Sequence, residues 1–374
     1  RTGRSDGARL LDIGGRPTPF SLHHSLGPDL QRWHDALVAL AGRVDSDNPT
    51  TGDDADDLDA RSLHELITDV GLSLVARVAV GRYIRTEYML GPDEVSQLMA
   101  AWMTGLHLRS GDGLEAHRIA GGNDQLATGL AAPLADRIRL GAAVSRVSSD
   151  DGTVTLRNGE VLHADHIVAT VPLPVLGRIW DRMPPELSAI AYGIGGKVSV
   201  HVGRRIWQDY GRDGCVLTER AWGELWETSD DQPGDAGVLT ALLSSHDGAA
   251  MLSLPECGDR VVAEMDRIFP GLAGLVDERV QTDWTNDPNS LGTYACFGTG
   301  QLVPAWPVLR ARHGRLLLAG EHTDVWAGYM EGALRSGARA AATIIAGDQR
   351  SGDQRSGDQR SGDGTSVPRT SIDE

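Results

Sequence analysis

Residues 318–337 read Leu318-Ala-Gly-Glu-His-Thr-Asp-Val-Trp-Ala-Gly-Tyr-Met-Glu-Gly-Ala-Leu-Arg-Ser-Gly337. Residues 315–319, with three consecutive leucines, predict a buried strand, and residues 329–346 predict a helix. The glycines between them predict tight turns. The start of a helix presents backbone N–H groups without partners in the helix, which suits an anion or an electron-rich ring edge. On spacing alone, this is an ordinary turn between a strand and a helix.

The chain upstream of this stretch mixes predicted helices and strands. Helices are predicted from residue 28, from the Ser-x-x-Glu capping box at residue 62, from Pro92 and over residues 126–134. Strands are predicted over residues 10–13, 137–140, 143–147, 154–157, 160–163, 165–171, 197–202 and 238–243. Asn158-Gly159 marks a hairpin, and the Asp-rich residues 45–59 predict a solvated loop. The pattern indicates an α/β or α+β protein.

The composition excludes several classes of function. The 52 Asp and Glu residues exceed the 35 Lys and Arg residues, and the net charge of -17 argues against a nucleic-acid partner. No apolar run approaches the ~20 residues that a membrane-spanning helix needs, so we expect no membrane anchor. The cysteines form no Cys-x-x-Cys pair, which predicts neither a metal site nor a disulfide framework. Free thiols and the lack of a leader favour a cytoplasmic location.

Residues 318–337 closely resemble the C-terminal flavin motif of the flavin-containing amine oxidases. This family includes monoamine oxidases, polyamine oxidases and L-amino-acid oxidases. Four further segments agree with the family in order, and together they cover most of residues 8–346. These segments are residues 12–15, residues 121–126 with 143–147, residues 170–176, and residues 284–294 with Gly300.

The resemblance implies FAD as the cofactor and indicates its contacts. Glu321 would approach the ribityl chain, and the backbone N–H of Met330 would meet the pyrimidine edge of the flavin. Val144 would pack its backbone on the adenine. The other predicted cofactor contacts are Gly14, Gly15, Trp284 and Gly320. Thr293 stands where covalently flavinylated relatives carry cysteine, so we expect the FAD to be non-covalent.

The resemblance also implies the catalytic and substrate-binding residues. Lys197 aligns with the lysine that holds a water against flavin N5 in many relatives. Tyr294 and Tyr329 fall where two aromatic rings sandwich the amine in monoamine oxidases, and such rings attract its cationic form. From the bare sequence, Lys197 would be read as solvent-facing and both tyrosines as core residues.

The family resemblance implies a doubly wound, Rossmann-like α/β domain that binds FAD, with an inserted α+β substrate-binding domain. The FAD domain would comprise residues 1–43, 114–185 and 291–346, and the substrate domain residues 44–113 and 186–290. The strand, Gly-x-Gly-x-x-Gly turn and helix that begin the family do not occur in this sequence, so we expect an N-terminally truncated form that binds flavin poorly. Residues 347–374, with three Gly-Asp-Gln-Arg-Ser repeats, predict a disordered polar tail.

The expected reaction is oxidation of an amine C–N bond. Hydride passes from the α-carbon of the amine to flavin N5, the imine hydrolyses to an aldehyde and ammonia or an amine, and dioxygen reoxidises the flavin to give hydrogen peroxide. An L-amino-acid oxidase or a desaturase-like flavoenzyme is an alternative. An amino-acid oxidase needs a cation for the substrate carboxylate, and Arg82, Arg85 and Arg109 lie in the substrate-domain insert. A flavin-free, non-catalytic remnant is a second alternative. The sequence leaves the particular amine and the oligomeric state open.

Overall fold

The structure is a computed structural model, and it describes residues 8–24, 26–111, 114 and 117–360, with side chains up to residue 347. The strands of these described residues form three sheets. They are β1 (Ala8–Ile13), β2 (Arg16–Pro19), β3 (Val144–Ser148), β4 (Thr153–Leu156), β5 (Val161–His163), β6 (Ile167–Ala169), β7 (Gly195–Val202), β8 (Arg212–Thr218), β9 (Glu224–Glu227), β10 (Gly237–Ser244), β11 (Val276–Asp283) and β12 (Leu316–Leu318).

Six of the twelve α-helices of the described residues precede β3 in the chain. They are α1 (Leu26–Ala41), α2 (Ala55–Asp59), α3 (Leu63–Val70), α4 (Leu74–Tyr88), α5 (Gln97–Ser110), α6 (Asp124–Ala131), α7 (Leu173–Ile179), α8 (Pro185–Ser188), α9 (Ser245–Leu252), α10 (Cys257–Ile268), α11 (Leu302–Arg310) and α12 (Met330–Arg360). Within the described part of the chain, none of these helices is both long and apolar enough to cross a bilayer.

The largest sheet has seven strands in the order β11-β7-β10-β9-β8-β1-β2. Strand β7 alternates as its sequence predicts: Val198, Val200 and Val202 are fully buried on one face. They share a hydrophobic core with Val261 and Met265 of α10. Lys197 lies on the opposite face of the sheet. That face is not covered by this core and is available for a binding site.

Two smaller sheets complete the α/β architecture. Strands β6 and β12 pair in parallel, so the predicted strands before Pro172 and before Gly320 end at the same edge. Strands β3, β4 and β5 form an antiparallel sheet. Its predicted hairpin at Asn158-Gly159 is confirmed, with Gly159 at a φ of 88° that a side chain would strain. The combination of parallel strand pairs and α-helices confirms the predicted α/β class.

Several local predictions for the helices are confirmed. Helix α1 follows the apolar pattern that begins after residue 28, and it buries Trp33 and Leu40. Helix α3 begins with the predicted capping box: the Ser62 hydroxyl accepts a hydrogen bond from the Glu65 N–H, and the Glu65 carboxylate accepts one from the Ser62 N–H. Local side-chain chemistry therefore fixes where α3 begins.

Three other local predictions are wrong. The helix expected from Pro92 begins instead at Gln97 with Ser96 as its N-cap, because the Pro92 carbonyl accepts the N–H of His64 and holds the preceding segment in a turn. Residues 137–140 form no strand. The Asp-rich loop ends in α2, where Asp59 is buried and accepts the N–H of Val303.

Two segments have a structure that their own sequence does not reveal. Strand β1 pairs in parallel with β8 and joins the seven-stranded sheet of Lys197, and the assignment of residues 1–43 to the flavin domain stays a prediction. The long-range pairing Leu11↔Leu217 fixes this position, and it cannot be read from the strand itself. The polar tail was expected to be disordered from residue 347, but α12 continues to Arg360. Residues 361–374 of that tail lie outside the described residues.

Candidate active site

The turn after β12 is built around a partly exposed carboxylate. Glu321 accepts two backbone hydrogen bonds, from Ala295 N–H at 3.0 Å and from Gly328 N–H at 2.7 Å. Burial raises the pKa of Glu321. Gly320 has a φ of 136°, and a side-chain carbon there would lie 2.4 Å from Cε1 of His322. Only glycine fits this sharp exit from the strand.

Charged and polar contacts fix the turn against α12. The buried Asp324 carboxylate pairs with Arg335 at 3.0 Å and with Arg339 at 2.7 Å. The Ser336 hydroxyl accepts the Gly320 N–H at 2.8 Å. The strand end and the first turns of α12 are therefore held as one unit.

Helix α12 begins at Met330, as the predicted cofactor contact requires. The first N–H groups of a helix have no partner within it, and they carry partial positive charge. The Met330 side chain is 50% exposed, so this helix start is accessible. The end of the helix can therefore meet an electron-rich ligand edge.

A cavity of about 370 Å³ brings three of the predicted site residues together: Lys197, Trp284 and Tyr294. The other lining residues are Met89, Pro172, Gly196, Trp226, Leu242, Ser290, Gly292 and Thr293. This volume lies in the range of small-molecule sites, and the wall combines aromatic rings with few polar groups, as in cofactor pockets. Residues from both predicted domains contribute to the wall.

Among the described residues of that wall, Lys197 is the only basic one. It extends from β7 into the open cavity, with its Nζ 5.6 Å from the centroid of the Trp226 ring. Desolvation by the cavity wall lowers the pKa of Lys197. It is also the single lysine among the 35 Lys and Arg residues of the sequence. This single occurrence could have drawn attention to Lys197 from the sequence alone.

The two predicted tyrosines differ in position. Tyr294 lines the cavity, and its hydroxyl donates to the backbone carbonyl of Glu87 at 2.7 Å. A side-chain carbon at Gly328 would lie 3.6 Å from the Tyr294 ring, so this ring packs on the Glu321 turn. Tyr329 follows that turn, but its hydroxyl lies 3.0 Å from Nε2 of His107, and Tyr329 is not in the described lining of the cavity. A sandwich of both rings around a substrate therefore stays a prediction.

The remaining predicted cofactor contacts lie elsewhere. Gly14 and Gly15 form the two-residue turn between β1 and β2, with φ values of 68° and 71° that explain the glycines. The Gly14 N–H donates to Glu219 at 2.7 Å. Val144 lies on β3, at the edge of its sheet in the described chain. An edge strand keeps one row of backbone groups free, as an adenine contact needs. Contact of all three residues with FAD stays a prediction.

Sequence reasoning missed Trp226 and Leu242 as cavity residues. Both reach the site through cross-strand register: Leu242 pairs with Lys197, and Trp226 lies opposite Thr240. The alternation in β9 is the signal that the sequence offers for these residues. It does not identify the strands with which β9 pairs, because the pairing partners are not local in sequence.

These residues fit FAD as a ligand. The cavity offers aromatic and apolar walls for a ring, and the buried Thr293 hydroxyl in that wall has no hydrogen-bond partner among the described atoms. The helix start at Met330 and the edge strand β3 supply free backbone groups for the rest of such a ligand. The candidate site and fold together define a flavin-dependent oxidoreductase.

Comparison with known proteins identifies the family. The chain belongs to the flavin containing amine oxidoreductases, whose sequence profile matches residues 29–345. It is 28% identical over 368 residues to an L-amino acid dehydrogenase of Synechocystis sp., with 91% of this chain and 78% of that protein covered. It is 25% identical over 323 residues to the flavin-containing amine oxidase of Danio rerio, with 81% of this chain covered. The chain spans 62% of that amine oxidase.

A solved structure shares the fold. Putrescine oxidase bound to putrescine superposes with a TM-score of 0.81 at 22% sequence identity. The match covers 91% of this chain and 81% of the putrescine oxidase chain. This similarity confirms the expected fold of FAD-dependent amine oxidases.

Proposed function

We propose that this chain oxidises the C–N bond of an amine to an imine with non-covalently bound FAD, and that dioxygen is the final electron acceptor. The observation that carries the proposal is the cavity wall, in which Lys197, Trp284 and Tyr294 lie together. The Glu321 turn packs against Tyr294 through Gly328, so the flavin motif and the cavity form one continuous site.

FAD, when bound, supplies a two-electron acceptor for the amine. The residues of this chain would position its ring: Trp284 and Tyr294 as part of the cavity wall, and the N–H groups at the start of α12 at the polar edge. Glu321 is held by two backbone N–H groups and would accept hydroxyl donors of the ribityl chain. Thr293 offers the cavity a hydroxyl rather than a thiol, which supports non-covalent binding.

Lys197 would manage protons beside the reacting carbon. Its lowered pKa raises the fraction of neutral amine near neutral pH, and a neutral amine can hold a water or accept a proton. The aromatic and apolar wall would exclude bulk water and pack on the alkyl part of the substrate. An uncharged substrate amine is the reactive form, and an apolar cavity favours it.

The similarity to an L-amino acid dehydrogenase favours a second candidate, oxidation of an amino acid with an acceptor other than dioxygen. This candidate needs a cation for the carboxylate close to the reacting carbon. Arg109 pairs with Asp47, Arg82 donates to the Glu219 carbonyl, and Arg85 lies 3.3 Å from the Gly81 carbonyl. No arginine is among the described residues of the cavity wall, so the amine is the better-supported substrate.

The test is turnover by the purified chain after incubation with FAD. Monoamines, diamines and L-amino acids are supplied in turn, and hydrogen peroxide and anaerobic dye reduction are both measured. Peroxide formation from an amine is the expected result. Dye reduction without peroxide would overturn only the assignment of dioxygen as the electron acceptor. Activity restricted to α-amino acids would overturn the assignment of an amine as the substrate.

A further inference from the structure

The side chain of Lys197 is a primary amine to which the protein gives no polar partner. None of the described residues forms a hydrogen bond or an ion pair with its Nζ atom, which instead lies 5.6 Å from the centroid of the Trp226 ring. The described wall of the cavity contains no Asp or Glu side chain. An ammonium group at this position therefore lacks the carboxylate that stabilises a desolvated charge.

Strand register keeps charged side chains away from this amine. Strand β7 lies between β10 and β11, and the residues that pair with Lys197 are Leu242 and Thr282, both uncharged. Asp283 is the next residue along β11, so its side chain points to the opposite face of the sheet, where it lies near the buried Cys257. Pairing on both sides also fixes the backbone from which the lysine side chain extends into the cavity.

These surroundings favour a nucleophilic lysine. Burial lowers the pKa of Lys197, which increases the fraction of neutral amine. A neutral lysine in an apolar pocket is the group that forms Schiff bases with carbonyl compounds. Lys197 is nevertheless exposed to the open cavity, so a small molecule can reach its Nζ atom. The unpartnered Thr293 hydroxyl in the same wall could donate a hydrogen bond to a carbonyl oxygen.

We propose that Lys197 is a site of reversible covalent modification by small apolar aldehydes, the class of product that the amine oxidation releases in this cavity. This inference rests on the proposed function, and it adds a reaction of the product with the protein. The neutral Nζ attacks the carbonyl carbon, a proton passes from nitrogen to oxygen, and loss of water leaves a C=N bond. Addition of water reverses the reaction. The reaction transfers no electrons, so it needs neither an oxidant nor a reductant.

The modification would act as product inhibition. A lysine joined to an aldehyde cannot hold a water or accept a proton as the proposed function requires, so turnover would slow until water releases the aldehyde. Met89, Trp226 and Leu242 give the cavity an apolar wall, which favours an apolar aldehyde. Because Lys197 is the single lysine of the sequence, no other lysine competes for the aldehyde.

The test uses the full chain with FAD, butanal, and sodium cyanoborohydride, which reduces the C=N bond to a stable secondary amine. Trypsin cleaves after lysine but not after alkylated lysine, so modification at Lys197 joins residues 183–197 and 198–204 into one peptide that is heavier by one butyl group. Mass spectrometry measures the rate at which this peptide appears. The same chain unfolded in guanidinium chloride gives the reactivity of an ordinary lysine.

We expect Lys197 to be modified about tenfold faster or more in the folded chain than in the unfolded chain. The rate in the folded chain should saturate as the butanal concentration rises, because the cavity binds the aldehyde first. Lys197→Arg keeps the positive charge without a primary amine, and it should acquire no adduct at residue 197. The N-terminal amine of the purified chain is the internal control, and its rate should rise linearly with butanal in both proteins.

The outcomes separate this inference from the proposed function. Modification of the N-terminal amine without modification of Lys197, or equal rates for Lys197 in the folded and unfolded chains, would overturn the capture of aldehydes. Amine oxidation would still stand in that case. If the chain oxidises no amine, the proposed function fails, while the labelling still decides whether Lys197 captures an aldehyde.

Discussion

The Nζ atom of Lys197 lies 5.6 Å from the centroid of the Trp226 ring, at the wall of the cavity that also holds Trp284 and Tyr294. The ring attracts the ammonium form, while removal of water by the cavity wall favours the neutral amine. Desolvation is the cause that lowers the pKa of Lys197. Because this is the only lysine of the chain, its chemistry can be followed without interference from other lysines.

The first prediction concerns that pKa. Protein labelled with ¹³C at the lysine Cε should give one lysine resonance, and its titration midpoint should lie below the ordinary value of 10.5. Trp226→Leu should lower the midpoint further, because the ring no longer favours the ammonium. A midpoint at or above 10.5 in wild type would show that the cavity wall does not desolvate the amine.

The second prediction concerns catalysis by Lys197. Lys197→Met should slow the reaction with amine, or the reaction of the reduced protein with dioxygen, by about 10²-fold or more, because proton transfer or water positioning is lost. Rapid mixing measures both half-reactions, and retained FAD absorbance shows that binding survives. His201→Met, on the same face of β7 but outside the described cavity wall, is the matched control. Unchanged rates in both half-reactions of Lys197→Met would remove this residue from the mechanism.

The third prediction concerns the turn that holds Glu321. Asp324→Asn should lower the free energy of unfolding by about 2 kcal/mol, since two arginines lose a buried partner and are themselves partly exposed. The affinity for FAD should fall with it, because Asp324 anchors the start of α12. Denaturant unfolding and FAD titration measure the two effects. The exposed pair Arg139–Glu160 supplies the control, and Glu160→Gln should change the free energy of unfolding much less than Asp324→Asn. Equal losses for the two variants would contradict this anchoring role.

The fourth prediction concerns acid stability. His322 is 2% exposed, and desolvation by burial lowers its pKa from 6.5 to about 4. The unfolded chain therefore binds a proton at higher pH than the folded chain, so this contribution to stability is complete above pH 6.5 and is lost as the pH falls toward 4. At about pH 5 the loss should be about 2 kcal/mol.

His322→Gln removes the titrating ring and gives the comparison. The free energies of unfolding of wild type and variant, measured with denaturant, should diverge as the pH falls from 7 to 5. Buried carboxyl groups with raised pKa values, such as Glu321, favour the folded state as the pH falls. Wild type and variant share these groups, so their effect cancels in the comparison. Parallel pH profiles would show that folding does not lower the pKa of His322.

The sequence predicted those parts of the fold that depend on neighbouring residues. The capping box at Ser62, the hairpin at Asn158-Gly159 and the alternation of β7 each depend on side chains within a few positions. The predictions failed where a distant partner decides the structure. Pro92 lies in a turn because its carbonyl accepts the N–H of His64, and β1 joins the seven-stranded sheet because it pairs with β8.

The same distinction applies to the candidate site. Lys197, Trp284 and Tyr294 were found through the family resemblance, and the cavity brings them together. Trp226 and Leu242 were not found, because their relation to Lys197 follows from the register of strands β7, β10 and β9. No local pattern in β9 reveals which strand it pairs with.

The single lysine resonance can show whether the cavity around Lys197 binds the flavin ring. FAD is added to the ¹³C-labelled full chain, and its absorbance near ~450 nm after desalting measures retention. We expect retained FAD to shift the Lys197 resonance and anaerobic amine to bleach the absorbance. Retained FAD with an unmoved lysine resonance would place the flavin ring outside this cavity and contradict the assignment.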